Sequence, residues 1–499
     1  MPGGWCTARS CRPTRASAVS ESDVLPTGFE VALSASTHRC TDGRTLYGEA
    51  GTIVRLRSAA VARLDAHGAV RVTDRTSRVL ARTLLDRGLA APVWRDAALG
   101  GTGDITLVVP VRDRPDGVDR LLAGCAGVPA IVVDDGSRDP AALRVVCERY
   151  GARLLRHEHS RGPAAARNTG LAHAATELVA FADSDVVLGA DTLELLRRHF
   201  VDPQVGLVAP RILGLEPDGG VLHRYEAASS SLDLGAEPAL VRPHARVSYV
   251  PSAMLLARKS ALGNGFDESM QVAEDVDLVW RVSAQWAVRY EPEARVRHEH
   301  RVHFDEWFAR RMLYGTGAAP LATRHGSAVA PAVLTPWTAA VTAGLLAQRR
   351  WSPVLVAGAS AVLWCRLRHR FADSDDPAGS ATALTKVALR AALEQTASIA
   401  TRHYVPVFLA LAPFSRRARR AYLVSAVAAG LVDHRRKQPK LDPVRFIGLR
   451  ALDDLAYGLG LWQGVLAERS PRALLPLVKG VRLDVTRRGR SSNRPCRAG

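Results

Sequence analysis

Between residues 105 and 183 the chain alternates strand-like apolar runs with helical patterns, and two of the runs stop abruptly at paired carboxylates. ITLVVPV (105–111), AIVVDD (130–135), ARLLR (152–156) and ELVAFAD (177–183) read as strands, and 115–126, 139–150 and 163–175 read as helices. Strands that are apolar along their whole length must be covered on both faces, which predicts a parallel sheet with helices on each side, an α/β doubly covered core. The stretch Ser160–Asp185 compresses a Gly-Pro turn, an alanine-rich helix, a strand and two carboxylates into 26 residues. Open α/β sheets bind ligands at the carboxyl edge of their strands. Oxygen ligands there suit a hard divalent cation carrying a phosphate, Mg²⁺ or Mn²⁺.

Two acidic strand ends converge on one edge: Asp134-Asp135-Gly136-Ser137 and Asp183-Ser184-Asp185. Such carboxylates repel one another, and a cation or ligand donors relieve the repulsion. A single acidic end could serve as a helix N-cap; two are harder to explain that way. No GxGxxG follows the first strand and no Walker lysine motif is present, which disfavours a dinucleotide dehydrogenase and a P-loop ATPase. Gly101-Thr102-Gly103 precedes the strand and carries no weight.

Further along, VGLVAPRI (205–212) and SYVPSAMLLAR (248–258) read as strands, with a loop-rich segment at 213–247 containing His223, Arg224 and Tyr225. That segment reads as an acceptor-binding or mobile loop, or as plain surface. In AEDVDLVWR (273–281), Glu274, Asp275 and Asp277 crowd the first turn of a helix whose Leu278, Val279 and Val282 face inward. Acids there are commonly dipole partners; beside the other acidic ends, a base held in the site is the competing reading. His298, His300 and His303 follow, and on a strand the first two share a face as metal or phosphate contacts, with solvated surface histidines the alternative.

The 499 residues suffice for two or three domains. Residues 1–24 read as a disordered arm without an apolar signal-peptide region. Residues 25–93 mix strands with short helices, one expected over Ser58–Ala66, as a small winged-helix-like α+β module that binds peptide or DNA or simply packs. The sheet domain spans 104–325, an apolar helical region 326–485, and a basic tail 486–499. Net charge is +18, favouring an anionic partner such as a lipid surface, nucleic acid or phosphorylated substrate; arginine-rich codon bias is the bland alternative. Seven cysteines lie scattered without a CxxC pair, so reduced thiols and a cytoplasmic catalytic face are expected. Residues 326–348 are 23 uncharged residues interrupted by Pro331 and Pro336, and 351–365 a shorter run. Interfacial or re-entrant attachment, spanning helices and a buried helical domain all remain open, and basic clusters at 366–370, 416–420 and 487–490 suit the membrane readings.

The ordered series VVPVRDR, VVDDGS, RGPAAARNTG, FADSD and AEDVDLVWR followed by histidine resembles the inverting family-2 glycosyltransferases with the GT-A (nucleotide-diphospho-sugar transferase) fold. GPAAARNTGLA, VAPRI and RRMLYGTGAAPLATRH, with the small N-terminal module, resemble more closely the glycosyltransferases of the mycofactocin system. The resemblance implies transfer of glucose from a nucleotide sugar, UDP-glucose, onto a peptide-derived mycofactocin precursor as β-1,4-linked units; a family-2 transferase acting on a lipid or cell-envelope glycan, or a non-catalytic membrane-associated peptide-binding scaffold, are the alternatives. The apolar C-terminal runs and basic clusters favour membrane association, and no nucleic-acid partner is expected. The resemblance implies Pro110, Asp134, Asp135, Arg167, Asn168 and Asp183 around the donor nucleotide. It further implies Asp183, Asp185 and His298 or His300 around Mg²⁺ or Mn²⁺, and Asp275 as catalytic base. Processive relatives carry Gln-x-x-Arg-Trp after the base; here Trp307 and Arg310-Arg311 stand in another arrangement, so processivity is not expected.

Overall fold

Apolar strands of five to seven residues with helices between them leave the chain few ways to pack, and the computed structural model takes the expected one. It describes residues 24–40, 42–48, 52–94, 101–299, 303–372, 374 and 376–479. Strands Ile105–Val111, Ala130–Asp135, Arg153–His157 and Leu178–Ala182 form the parallel part of a nine-stranded sheet, in the order 153–157, 130–135, 105–111, 178–182. Met254–Arg258 pairs antiparallel to Leu178–Ala182, and Val205–Gly214 lies antiparallel to Met254–Arg258 and parallel to Ala287–His298. Pro110 sits buried in the first strand, two residues past Val108, where pairing to Leu178–Ala182 has ended and a proline breaks no ladder on that side. Ile105, Leu107, Val109, Val132, Ala180 and Leu256 are fully buried in the core beneath the sheet.

The chain divides into two units, residues 1–217 with 229–300, and residues 218–228 with 301–499. The second unit takes in a piece of the segment expected to be loop: Val221–Ser229 is a helix. Its sequence offers Leu222 and Tyr225 to a small apolar cluster with Trp307, Leu441 and Phe446, a tertiary reward that local propensity does not announce.

In the first unit, the N-terminal module consists of two three-stranded antiparallel sheets and the helices Ser58–Val61 and Arg75–Asp86. The helix expected over Ser58–Ala66 stops at Val61. Asp65 Oδ1 accepts from the amides of His67 and Ala69 (2.9 and 2.7 Å), and Gly68 turns at φ 77°, a local alternative that outcompetes further helix. Asp74 and Ser77 close a reciprocal capping box at the second helix. The module joins the sheet through Arg82, which pairs with the fully buried Asp202 at 2.6 Å, and Arg289 pairs with the same carboxylate.

In the helical unit, Phe304–Thr316 packs on Pro443–Ala467 at backbone contact. A Cβ at Gly460 would lie 1.8 Å from Met312 O and one at Gly464 2.5 Å from Thr316 O, so only glycine fits. Trp307 and Arg311 are structural here: Glu226 accepts from Trp307 Nε1 (2.7 Å) and Arg311 Nη2 (2.6 Å). The uncharged run 326–348 is broken into the short helical turn Gly326–Val329, a two-residue strand and the twelve-residue helix Pro336–Ala347, with Pro336 at its first position. Among the described residues no helix is long and apolar enough to cross a membrane.

Candidate active site

Strand order places two parallel strands on one side of Ile105–Val111 and Leu178–Ala182 on the other, so the connections diverge between the first and last and open a crevice at the carboxyl edge. The loop after Ile105–Val111 is shaped by Asp113, at φ 56°. Its amide donates to Ser137 Oγ (2.8 Å), and its Oδ1 accepts from Arg138 N (2.7 Å), locking it to the Asp134–Ser137 turn.

Asp134 is fully buried. It accepts from Ser137 N at 2.8 Å and pairs with Arg156. As it stands it shapes the turn and presents no surface to a ligand. Asp135 accepts four hydrogen bonds, from His157 Nδ1 (2.7 Å), Ser160 Oγ (2.7 Å), Arg161 N (2.8 Å) and Gly162 N (2.9 Å). Burial works to raise its pKa, but these donors together outweigh burial and hold it below the usual carboxylate range. Gly136, at φ 76°, lets the Ser160 backbone approach; a Cβ would sit 2.8 Å from Ser160 N.

The second acidic end is held differently. Gly117, in the helix Pro115–Ala123, lies so close to the Asp183–Asp185 loop that a Cβ would fall 2.2 Å from Ser184 O. Asp183 keeps 30% of its side chain exposed and Asp185 24%. Asp185 faces His298 Nε2 at 3.3 Å and Arg114 Nη1 at 3.5 Å. Burial, with Asp183 adding to it, raises the Asp185 pKa against the opposing pull of His298 and Arg114. His298 reaches this point as the last residue of the strand Ala287–His298, paired to Val186. His300 lies outside the described residues.

Arg167 is buried under the site. Its Nη2 donates to Asp183 Oδ1 (2.6 Å) and its Nη1 to Glu274 Oε1 (3.0 Å), tying the strand end to the helix Glu274–Ser283. It stacks over Phe266 at 5.2 Å. Asn168 clamps the 265–268 turn: it donates to Phe266 O (2.8 Å) and Glu268 Oε1 (3.0 Å) and accepts from Phe266 N (2.8 Å). The two residues expected around the donor nucleotide thus brace the walls from behind. Glu274, grouped by the sequence pattern with Asp275 and Asp277 as dipole partners or a base, is the second anchor of Arg167.

Asp275 lies two residues past a strained residue, Ala273 at φ 64°. Its Oδ1 accepts from Val276 N (2.8 Å) and its Oδ2 from Ser252 N (3.1 Å), so the carboxylate is fixed yet partly exposed. Burial first and the Glu274 charge second push its pKa up to about 6, against those amides and Arg167.

For a divalent cation, the structure offers Asp185 Oδ1, a buried oxygen without a hydrogen-bond partner among the described residues, beside His298. No group of three or more acidic, histidine or cysteine ligands is preassembled among the described residues. Mg²⁺ in phosphate chemistry is typically held by one or two carboxylates, with phosphate and water completing the shell. The pair therefore fits an ion that arrives with its diphosphate.

Comparison with known proteins identifies the family. The model of glycosyl transferase family 2 matches residues 106–263. The pre-mycofactocin glycosyltransferase of Mycobacterium tuberculosis (strain ATCC 25618 / H37Rv) is 42% identical over 472 residues, 91% of this chain and 99% of that protein. The succinoglycan biosynthesis protein ExoU of Rhizobium meliloti is 26% identical over 207 residues, 37% of this chain and 58% of its own. Among solved structures, a mannosyltransferase from Pyrobaculum calidifontis, in complex with GDP-Man and Mn²⁺, is 19% identical and covers 68% of this chain and 89% of its own, with a TM-score of 0.37. With GT-A sheet and acidic strand ends in place, the near-complete match to the mycobacterial relative shows that the chain belongs to the pre-mycofactocin glycosyltransferases of family 2.

Proposed function

We propose that this glycosyltransferase moves glucose from UDP-glucose onto a hydroxyl of the peptide-derived mycofactocin precursor, inverting the anomeric centre and building β-1,4-linked units. The observation that carries the mechanism is Asp275, partly exposed, fixed by two amides and raised to about 6, where a base is ionised at neutral pH yet still takes a proton readily. Asp275 accepts the proton of the acceptor hydroxyl as that oxygen bonds to the anomeric carbon. The bond from that carbon to the diphosphate breaks on the opposite face, so an α-linked donor yields a β-linked product. Asp185 and His298 would hold Mg²⁺ or Mn²⁺, and Asp183, steadied by Arg167, would border the donor. A bound divalent ion supplies charge neutralisation for the departing diphosphate.

The test is purified full-length enzyme with Mg²⁺ or Mn²⁺, a panel of UDP-sugars and the precursor, read by mass spectrometry of the acceptor. Hexose addition is expected in the wild type and lost in Asp275→Asn and Asp185→Ala. Addition that survives in either variant refutes the assignment, and silence with every donor refutes the activity.

We also propose attachment to an anionic membrane surface through the elbow between the helices Val405–Leu411 and Arg416–Lys437. Leu409, Leu411 and Phe414 are exposed there, Phe414 by 89%, directly ahead of Arg416, Arg417, Arg419 and Arg420. Apolar side chains beside arginines match the interface between acyl chains and acidic headgroups.

A further inference from the structure

A cavity in the sheet-bearing unit lies away from the acidic site, where the N-terminal module meets the sheet. It has a volume of about 400 Å³, in the range of small-ligand sites. Its walls include two strands that each end a sheet, Ala90–Val93 of the module and Ala239–Leu240 of the transferase domain. Both therefore keep one edge without a strand partner among the described residues.

Three polar groups lining this cavity have atoms that are buried and lack a hydrogen-bond partner among the described residues: Trp94 Nε1, His199 Nδ1 and Arg289 Nη1. His199 is 2% exposed and Arg289 5%. Orphaned buried polar atoms are uncommon and costly, and three of them around one cavity describe the complement of a ligand. Trp94 Nε1 and Arg289 Nη1 can only donate. Arg87, Arg242 and Arg246 also line the cavity. The carboxylates there are already engaged, Glu291 by His199 (2.8 Å) and Arg198 (3.3 Å), and Glu293 by Arg198 (2.7 Å). His199 Nε2 donates to Glu291 on a ring that burial keeps neutral, so its Nδ1 is an acceptor that calls for a donor such as a peptide N–H. Trp94 Nε1, Arg289 Nη1 and the arginines call for an acceptor bearing negative charge.

We propose that this cavity is a second binding site, which takes the carboxylate-bearing end of an extended peptide. The donors and arginines recognise the carboxylate. The free strand edges offer backbone pairing, which an extended peptide can use and a sugar cannot. Leu85, Leu89 and Leu240 provide apolar contact for a side chain. The site is read by binding and does not rest on the proposed sugar transfer.

The test uses the full-length protein and isothermal titration calorimetry with a randomised tripeptide library carrying free carboxyl termini, the same library amidated, inorganic pyrophosphate and UDP. Free-acid tripeptides are expected to bind, with amidation weakening them at least tenfold. Trp94→Phe keeps the ring against Phe29 and His199 (5.7 and 5.2 Å between centroids) but deletes the donor. It is expected to weaken free-acid binding about fivefold. Ala239→Trp, which fills the cavity, is expected to abolish it, and UDP binding is expected to stay unchanged in both variants. Equal binding of both libraries, binding that persists in Ala239→Trp, displacement of the peptide by pyrophosphate, or no tripeptide binding would overturn the proposal. If Ala239→Trp does not fold, as read by circular dichroism, Trp94→Phe decides alone: unchanged affinity refutes it.

Discussion

Replacing Asp275 by asparagine should make the protein more stable and nearly inactive, and the gain should depend on pH in a calculable way. A carboxyl raised from 3.8 to about 6 binds its proton more tightly in the folded than in the unfolded chain. Sign follows from linkage: between about pH 4 and 6 the folded state holds the extra proton, so stability falls as pH rises through that window. A shift of about 2 units at 1.36 kcal/mol each amounts to about 3 kcal/mol lost by pH 7.5. Asparagine carries no charge and escapes this penalty. It keeps an oxygen for one of the two amides, Ser252 N and Val276 N, and forfeits the other at about 1–1.5 kcal/mol. The net expectation is a gain of about 1.5–2 kcal/mol at pH 7.5 that vanishes or reverses at pH 4.5. Urea unfolding of both proteins at the two pH values measures it, and turnover should fall by about 10²–10⁴-fold, the usual worth of a general base. In the wild type, kcat/KM should rise with pH through about 6 and then level. A variant no more stable than wild type at pH 7.5, or a stability difference that ignores pH, would refute the account of Asp275 as a partly exposed base raised by burial.

Arg167→Met leaves Asp183 and Glu274 without their shared partner and should cost about 3–5 kcal/mol, with Arg167→Lys intermediate because it keeps charge but loses the fork; denaturant midpoints rank the three. Gly117→Ala forces a methyl against Ser184 O and should cost about 1–3 kcal/mol, with the KM for the donor rising before kcat falls. His298→Ala should raise the Mn²⁺ concentration needed for half-maximal turnover while leaving Asp275's pH profile in place. Phe414→Asp should abolish flotation with anionic vesicles and leave transfer to a soluble acceptor intact; flotation unchanged by the substitution, or equal on neutral vesicles, would count against surface attachment.

The sheet was legible because its strands are apolar throughout and are punctuated by glycine, proline and acid, signals that local chemistry writes directly. Strand Ile105–Val111 and strand Ala130–Asp135 match the pattern residue for residue. The acids were legible for the same reason: an apolar strand that ends in carboxylate is locally anomalous. What supports them was not. Arg167 finds Glu274 across 107 residues, and nothing in an alanine-rich helix announces that its arginine points inward. Asp113 carries no motif beyond its neighbours, yet ties two loops together. The helix Val221–Ser229 was missed because its burial is decided by Trp307 and Phe446, far along the chain.

The physical division within the site follows from this difference. Carboxylates that share a hydrogen-bonded turn can be sealed in, as Asp134 is, because each oxygen has a donor. In the mechanism we propose, those that meet a cation or a proton have to remain undersatisfied, as Asp185 Oδ1 is, or raised, as Asp275 is. An undersatisfied acid at a strand end is stable only if something behind it holds its position, and here Arg167 and Gly117 do so, one by charge and one by having no side chain. Destabilised acids at the rim and fully paired groups beneath them are therefore two halves of one requirement. Only the first half alters the residue pattern enough to be read without the fold.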